Sequence, residues 1–218
     1  MFPRYCVGCG REGSFICSAC RKSLSRITPP LCPQCGRHQA SGILCPQCVS
    51  GHGEIDGIRS PFQFTGVMRQ AIHQLKYQNL RALAAPLARL LGDYFNDNYL
   101  PADRLVPVPL HPRRIRERGY NQSALLAGEL GKLINLPVVA DCLTRREHRP
   151  PQAKTTTVEE RRASVSGAFT CRGQWLRDKH VLLIDDVATS GATLDACAAA
   201  LKAQGAASVR GLVVAREI

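Results

Sequence analysis

Three groups of residues in this 218-residue chain have the types and spacing to do chemistry. The first lies in VLLIDDVATSGAT, residues 181–193, where four apolar residues run into Asp185 and Asp186 and then into a small, hydroxyl-rich stretch. Adjacent carboxylates suit sugar hydroxyls or a magnesium ion shared with a ligand. Thr189, Ser190 and Thr193, with the backbone N–H groups of a helix starting near Ala192, make a phosphate cradle, and Gly191 lets the backbone approach the anion closely. Because Asp185 and Asp186 repel phosphate, they face a different part of the ligand. The combined reading is a phosphate beside a ribose diol.

The second group is cysteine. Eight of the eleven cysteines fall in the first 48 residues as four Cys-x-x-Cys pairs: Cys6/Cys9, Cys17/Cys20, Cys32/Cys35 and Cys45/Cys48. That spacing aims two sulfurs at one point, and two such pairs complete a tetrahedral zinc site. Sequential pairing places Cys6, Cys9, Cys17 and Cys20 around one ion and Cys32, Cys35, Cys45 and Cys48 around another. An interleaved cross-brace satisfies the spacing equally, and the expectation is one or two structural Zn2+ ions. Cys142, Cys171 and Cys197 are isolated and read as small core hydrophobes.

Arginine supplies a third cluster. VPVPLHPRRIRERGYNQS carries Arg113, Arg114, Arg116 and Arg118, and guanidinium forks suit phosphate oxygens. As a loop beside the acidic stretch it would bind pyrophosphate; it would equally track a nucleic-acid backbone or stand as a solvated basic loop. Tyr120, just beyond, offers a face for stacking on a base. In AIHQLKYQN, His73, Lys76 and Tyr77 lie one helical turn apart, and periodicity alone makes Lys76 an ordinary snorkelling lysine.

The elements that must position these residues alternate along the chain. Residues 1–50 are Gly- and Pro-rich without apolar periodicity, so this module folds around metal. Residues 51–218 make a second domain, in which strands and helices alternate from about residue 54. IRSPFQF reads as a strand, and GVMRQAIHQLKYQNLRALAAPLARLLGDYF as one or two amphipathic helices. RLVPVPL is a short strand, and NQSALLAGELGKLIN a helix with Asn121 or Ser123 as its N-cap. PVVADCLTRR, SGAFTC, HVLLID and SVRGLVVAR are strands, with the helix ATLDACAAALKAQG before the last. The polar segment 147–166 has no apolar periodicity. Strands alternating with helices imply an α/β fold, a parallel sheet with helices on both faces.

A composition of 44% hydrophobic and 21% charged residues excludes a disordered chain. No apolar run approaches ~18 residues, so no transmembrane helix and no membrane insertion are expected. MFPRYCVGCG lacks a signal-peptide core, which makes the cytoplasm the expected compartment and disfavours disulfides. The formal net charge is +12. Eight thiolates contribute −8 and two zinc ions +4, which leaves about +8, a basic balance that suits phosphorylated ligands or nucleic acid.

VLLIDDVATSGAT resembles the 5-phosphoribosyl-1-pyrophosphate (PRPP) signature of type I phosphoribosyltransferases at every position. The cysteine module, IHQLKY, VPVPLHPRRIRERGYNQS, RPPQ, SGAF and that signature together resemble the ComF/GntX family of competence-related phosphoribosyltransferase-like proteins, in the family's order and over essentially the whole chain. The resemblance implies a type I phosphoribosyltransferase-like sheet behind a double zinc ribbon. It implies Asp185 and Asp186 as catalytic carboxylates, and Ala188, Thr189, Ser190, Gly191, Ala192 and Thr193 around the phosphate of PRPP or a nucleotide. Lys76, Arg113 and Arg114 would reach further phosphates, with Mg2+ as cofactor.

Segment 147–166 corresponds to the loop that closes over PRPP, with Arg149, Gln152 and Lys154 as its contacts. Where the family has Leu-Ser after PPQ and Arg-Asn before GAF, this chain has AKTTTVEERRASVSGAF. The family's tie to natural transformation implies single-stranded DNA and a DNA-uptake helicase as partners, with Arg113, Arg114, Arg116, Arg118 and Tyr120 as the nucleic-acid candidates. Two functions follow: a phosphoribosyltransferase whose acceptor the sequence does not name, or a catalytically silent ligand sensor or DNA-binding protein on the same fold.

Overall fold

The computed structural model describes residues 3–49, 53–145 and 167–217. Helices α1 (Ser18–Lys22) and α2 (Pro46–Val49) belong to the cysteine module. Strands β1 (Ile58–Arg59) and β2 (Phe62–Gln63) lead into α3 (Gly66–Tyr77), a 3-10 turn (Arg81–Leu83) and α4 (Ala84–Asp97). Then come β3 (Arg104–Pro107), α5 (Pro112–Arg118), α6 (Gln122–Ile134), β4 (Leu143–Arg145) and β5 (Phe169–Cys171). Strand β6 (His180–Ala188), α7 (Ala192–Lys202) and β7 (Ser208–Arg216) close the order.

One parallel sheet organises the chain, in the order β1–β7–β6–β3, with β2 also pairing β7. Its two long strands are the most apolar. Val181 to Ile184 and Leu212 to Ala215 are fully buried, because helices cover both faces and period-two alternation collapses into a continuous run. Side-chain parity then divides the core. Leu182, Ile184, Leu212 and Val214 pack with Met68, Ile72 and Leu75 of α3, Leu87 and Leu91 of α4, and Leu126 and Leu130 of α6. Val181, Leu183, Val209 and Val213 pack with Leu194, Ala198 and Leu201 of α7. Each fully buried aliphatic side chain contributes roughly 2 kcal/mol.

Several elements differ from the sequence expectation. IRSPFQF forms two short strands, because Ser60 and Pro61 interrupt the pairing with β7. PVVADCLTRR does not run as one strand: Val138 makes a single parallel bridge to Leu105, and Leu143–Arg145 turns away to pair antiparallel with Phe169–Cys171. That ribbon stands apart from the sheet and packs over α7 through Leu143 and Phe169. The arginine loop is largely a helix, α5, whose N-cap His111 accepts from the Arg113 N–H at 3.2 Å and whose end is set by Gly119 at φ 77°. Asn121, not Ser123, caps α6.

The cysteine module sits on the sheet domain. Its first half places Val7, Phe15 and Ile16 against the α3–α4 core, with Arg21 bound to Asp93 at 2.6 Å. Its second half docks on β1, where the Ile58 N–H donates to the Gln34 carbonyl at 2.7 Å. Gly36, at φ 71°, is required at that contact: a Cβ there would stand 2.3 Å from the Ile58 carbonyl oxygen.

Candidate functional site

Strand β6 delivers both acids to the carboxyl end of the sheet, where open α/β folds bind ligands. Asp186 is 2% exposed, and its carboxylate lies 2.5 Å from the Lys76 Nζ on α3. Asp185 is half-buried, and its Oδ1 accepts from the Ser123 hydroxyl at 2.7 Å and from the Asp186 N–H at 2.9 Å. Burial and then the charge of Asp186 push the Asp185 carboxyl from an ordinary value of 3.8 up to about 7, against the opposing pull of Ser123 and Lys76. Two carboxylates with one ammonium between them form a site short of positive charge.

The chain after β6 tightens into the cradle. Ala188 is still strand, buried, with its carbonyl taken by the Glu217 N–H. Thr189 is exposed and Ser190 partly so; the Ser190 hydroxyl accepts from the Ala192 N–H at 3.4 Å. Gly191, at φ 84°, forms the turn into α7, and a side chain there would strike Ile58, 2.8 Å from the Cβ position. Ala192 and Thr193 open α7, whose first-turn Asp195 accepts from the Ile55 N–H at 3.0 Å. Thr189 to Thr193 therefore form one compact turn into the N-terminus of α7, the shape a phosphate cradle would need.

A cavity of about 320 Å³ adjoins Lys76 and is lined by Tyr77, Asn79, Arg114, Glu117 and Arg118. The helical turn of α5 sorts its arginines. Arg114 and Arg118 fall on the cavity side, with Arg118 over the Tyr77 ring at 5.3 Å. Arg113 instead pairs with Glu117 at 2.8 Å in the open, and Arg116 is exposed outside the cavity. Of Lys76, Arg113 and Arg114, the structure brings Lys76 and Arg114 to one cavity, with Lys76 alone touching an acid, and leaves Arg113 outside. Tyr120, expected to stack on a base, is 8% exposed. Its hydroxyl donates to the Leu75 carbonyl and its ring lies under Arg81 at 4.6 Å, so that face is occupied. The segment 147–166, with Arg149, Gln152 and Lys154, lies outside the described residues.

The cysteines pair sequentially. Cys6, Cys9, Cys17 and Cys20 bring their sulfurs within 4.8 Å of one another, as do Cys32, Cys35, Cys45 and Cys48. Four thiols at such separations fit tetrahedral zinc. Backbone N–H groups point at the sulfurs, Cys17 to Cys6 at 3.3 Å and Cys45 to Cys32 at 3.5 Å. Burial alone would raise Cys6, yet these donors hold it down to about 6, which favours the thiolate a metal needs. Cys142, Cys171 and Cys197 are buried, as core residues.

Sequence reasoning missed three residues. The sequence offers Ser123 only as an alternative to Asn121 for the N-cap, but its place in the first turn of α6 gives its hydroxyl to Asp185. Arg37 and Arg216, remote in sequence, both donate to the Thr189 carbonyl, at 3.4 and 3.5 Å; no local pattern marks them.

Fold and site together define a phosphoribosyltransferase-type α/β domain joined to a double zinc ribbon. Residues 1–49 match the family described as "Double zinc ribbon domain", and residues 121–217 the family described as "Phosphoribosyl transferase domain". The chain belongs to the ComF family of competence and DNA-utilization proteins. It is 29% identical to competence protein ComFC of Bacillus subtilis, over 92% of this chain and 84% of that protein. With DNA utilization protein YhgH of Salmonella typhimurium the identity is 32%, over 89% and 87%. Competence protein F of Haemophilus influenzae is 28% identical over 92% and 90%. Among the described residues no helix is long and apolar enough to cross a membrane.

Proposed function

We propose that this protein binds PRPP, or a nucleotide of the same 5-phosphoribosyl chemistry, with magnesium at the end of β6. The observation that carries the reading is the Asp185–Asp186 pair, held by Ser123 and Lys76 between the Thr189–Thr193 cradle and the Arg114–Arg118 cavity. The cradle takes the 5-phosphate through N–H groups and hydroxyls. Asp185 and Asp186 accept from the ribose hydroxyls, and Lys76, Arg114 and Arg118 face the pyrophosphate. Magnesium fits a pair of acids short of positive charge, and when bound it neutralises pyrophosphate beside the ribose.

In phosphoribosyl transfer, Asp185 and Asp186 would stabilise positive charge developing on the ribose, while remote phosphate binding orients the anomeric carbon. Among the described residues no constellation marks an acceptor, so binding is the better supported half of this reading. The names of the relatives support a setting in DNA uptake or utilization. Single-stranded DNA is a second reading, favoured by the open Arg113 and Arg116 and by a groove of about 500 Å³ whose lining includes Arg4 and Arg89.

Calorimetric titration of the zinc-loaded protein with PRPP and magnesium tests the first reading. The expected result is one site per chain, lost in Asp185→Asn and Asp186→Asn; no heat with the wild type rejects it. For DNA, Arg113→Ala with Arg116→Ala should flatten the salt dependence of affinity, and an unchanged slope rejects that surface.

A further inference from the structure

Arg216, at the end of β7, is 1% exposed, and among the described residues its Nε and Nη1 have no hydrogen-bond partner. Among the described residues only Nη2 is used, donating to the Thr189 carbonyl at 3.5 Å. A guanidinium removed from water with two idle donors is strongly unfavourable unless an anion lies beside it. The groups within its electrostatic reach are Cys35, Cys48 and Cys45 of the second cysteine cluster, which favour its charge, and Arg37, which repels it and so adds to the need for the thiolates. Arg37, inside the same cluster's loop, brings a second guanidinium to the same carbonyl at 3.4 Å, and its buried Nε is likewise unpaired. Cys35 and Cys48 share a narrow crevice with Ser190 and Gly191, so cluster and cradle are in contact.

Four thiolates around a divalent zinc carry a net charge of −2, which the two guanidinium cations match. A peptide plane is rigid, with its C=O and the following N–H on opposite sides. Drawing the Thr189 carbonyl towards the ribbon therefore turns the Ser190 N–H the other way, towards the cradle. We propose that Arg37 and Arg216 are positioning residues that couple the second zinc site to the phosphate cradle: the tetrathiolate charge holds both guanidinium groups, and they hold the Thr189–Ser190 peptide in its anion-binding orientation. The second ribbon is then part of the ligand site, while the first serves as a brace on α3 and α4. The ligand half of this inference rests on the proposed PRPP site; the coupling itself does not.

The test uses full-length, zinc-loaded protein and three variants, Arg37→Gln, Arg216→Met and Arg216→Lys. Zinc transfer to a chromophoric chelator follows the two metal equivalents, and hydrogen exchange follows the peptide covering residues 188–193. In Arg37→Gln one equivalent should leave about tenfold faster while the other keeps its rate, and exchange across 188–193 should rise. Arg216→Lys, which keeps the charge, should restore most of the zinc retention lost in Arg216→Met. Wild-type zinc release or unchanged exchange in Arg37→Gln overturns the coupling, even if Arg216→Met fails to fold. Should the wild type bind no PRPP while both readouts shift, the ligand assignment falls and the coupling stands.

Discussion

Replacing Asp185 with asparagine should make the protein more stable while removing its ligand. The structure holds this carboxyl at about 7 through burial first and the charge of Asp186 second. An unfolded chain ionises it near 3.8. Between those values the unfolded state has released a proton that the folded state keeps, so stability falls as pH rises from about 4 to about 7. Below the unfolded value the group contributes its full stabilisation; above about 7 that contribution is gone. At 1.36 kcal/mol per pH unit, the wild type gives up about 4 kcal/mol by pH 8 and under about 2 kcal/mol by pH 5. An asparagine Oδ1 still accepts from the Ser123 hydroxyl and the Asp186 N–H, and it carries no charge. Urea unfolding of the zinc-loaded pair should therefore show Asp185→Asn more stable by about 4 kcal/mol at pH 8, with the gain less than half as large at pH 5. In a chain of this size that corresponds to a Tm rise on the order of 10 °C at the higher pH. An equal gain at both pH values, or a loss at pH 8, would refute the charge argument. Such a gain alongside lost PRPP binding is the signature of a site that trades stability for function.

Lys76→Met should act in the opposite sense, leaving Asp186 buried beside Asp185 without its cation. A loss of about 3 kcal/mol at pH 8, read by the same unfolding assay, is expected. Arg114→Ala should weaken PRPP binding about tenfold by calorimetry, because Arg114 lines the cavity, whereas Arg113→Ala should leave it within about twofold because Arg113 points into solvent at Glu117.

What was legible in the sequence was local. The run 181–193 carries its whole meaning in consecutive positions: four apolar residues make the strand, two acids end it, and Gly191 turns it into α7. The Cys-x-x-Cys spacing marks zinc, although only the folded chain chooses between sequential and cross-braced pairing. The sequence marks Arg113, Arg114, Arg116 and Arg118 as a basic loop with Arg113 and Arg114 facing PRPP, whereas helical periodicity groups Arg114 with Arg118 and leaves Arg113 and Arg116 outside the cavity. Tyr120 shows the limit of residue type as evidence, since an aromatic next to arginines is a base platform only if its ring is free, and Arg81 covers it. Ser123, Arg37 and Arg216 were out of reach because their partners lie in other elements. PVVADCLTRR misled because β-propensity says nothing about which strand a segment pairs with.

The sheet also dictates when the molecule can exist. Strand β7 lies between β6 and the pair β1–β2, so Ile58 has no strand partner until Gly211 arrives from the far end of the chain. During synthesis the zinc ribbons, the α3–α4 hairpin and β6 all emerge before the strand that joins them. The β1–β7 pairing closes a very long loop, which is slow. Until then one edge of β6 is open and both apolar clusters lack the β7 side chains that seal them. Metal-loaded ribbons fold early and locally, and a chain cut short before β7 would carry the Thr189–Thr193 turn without Arg216 to hold it.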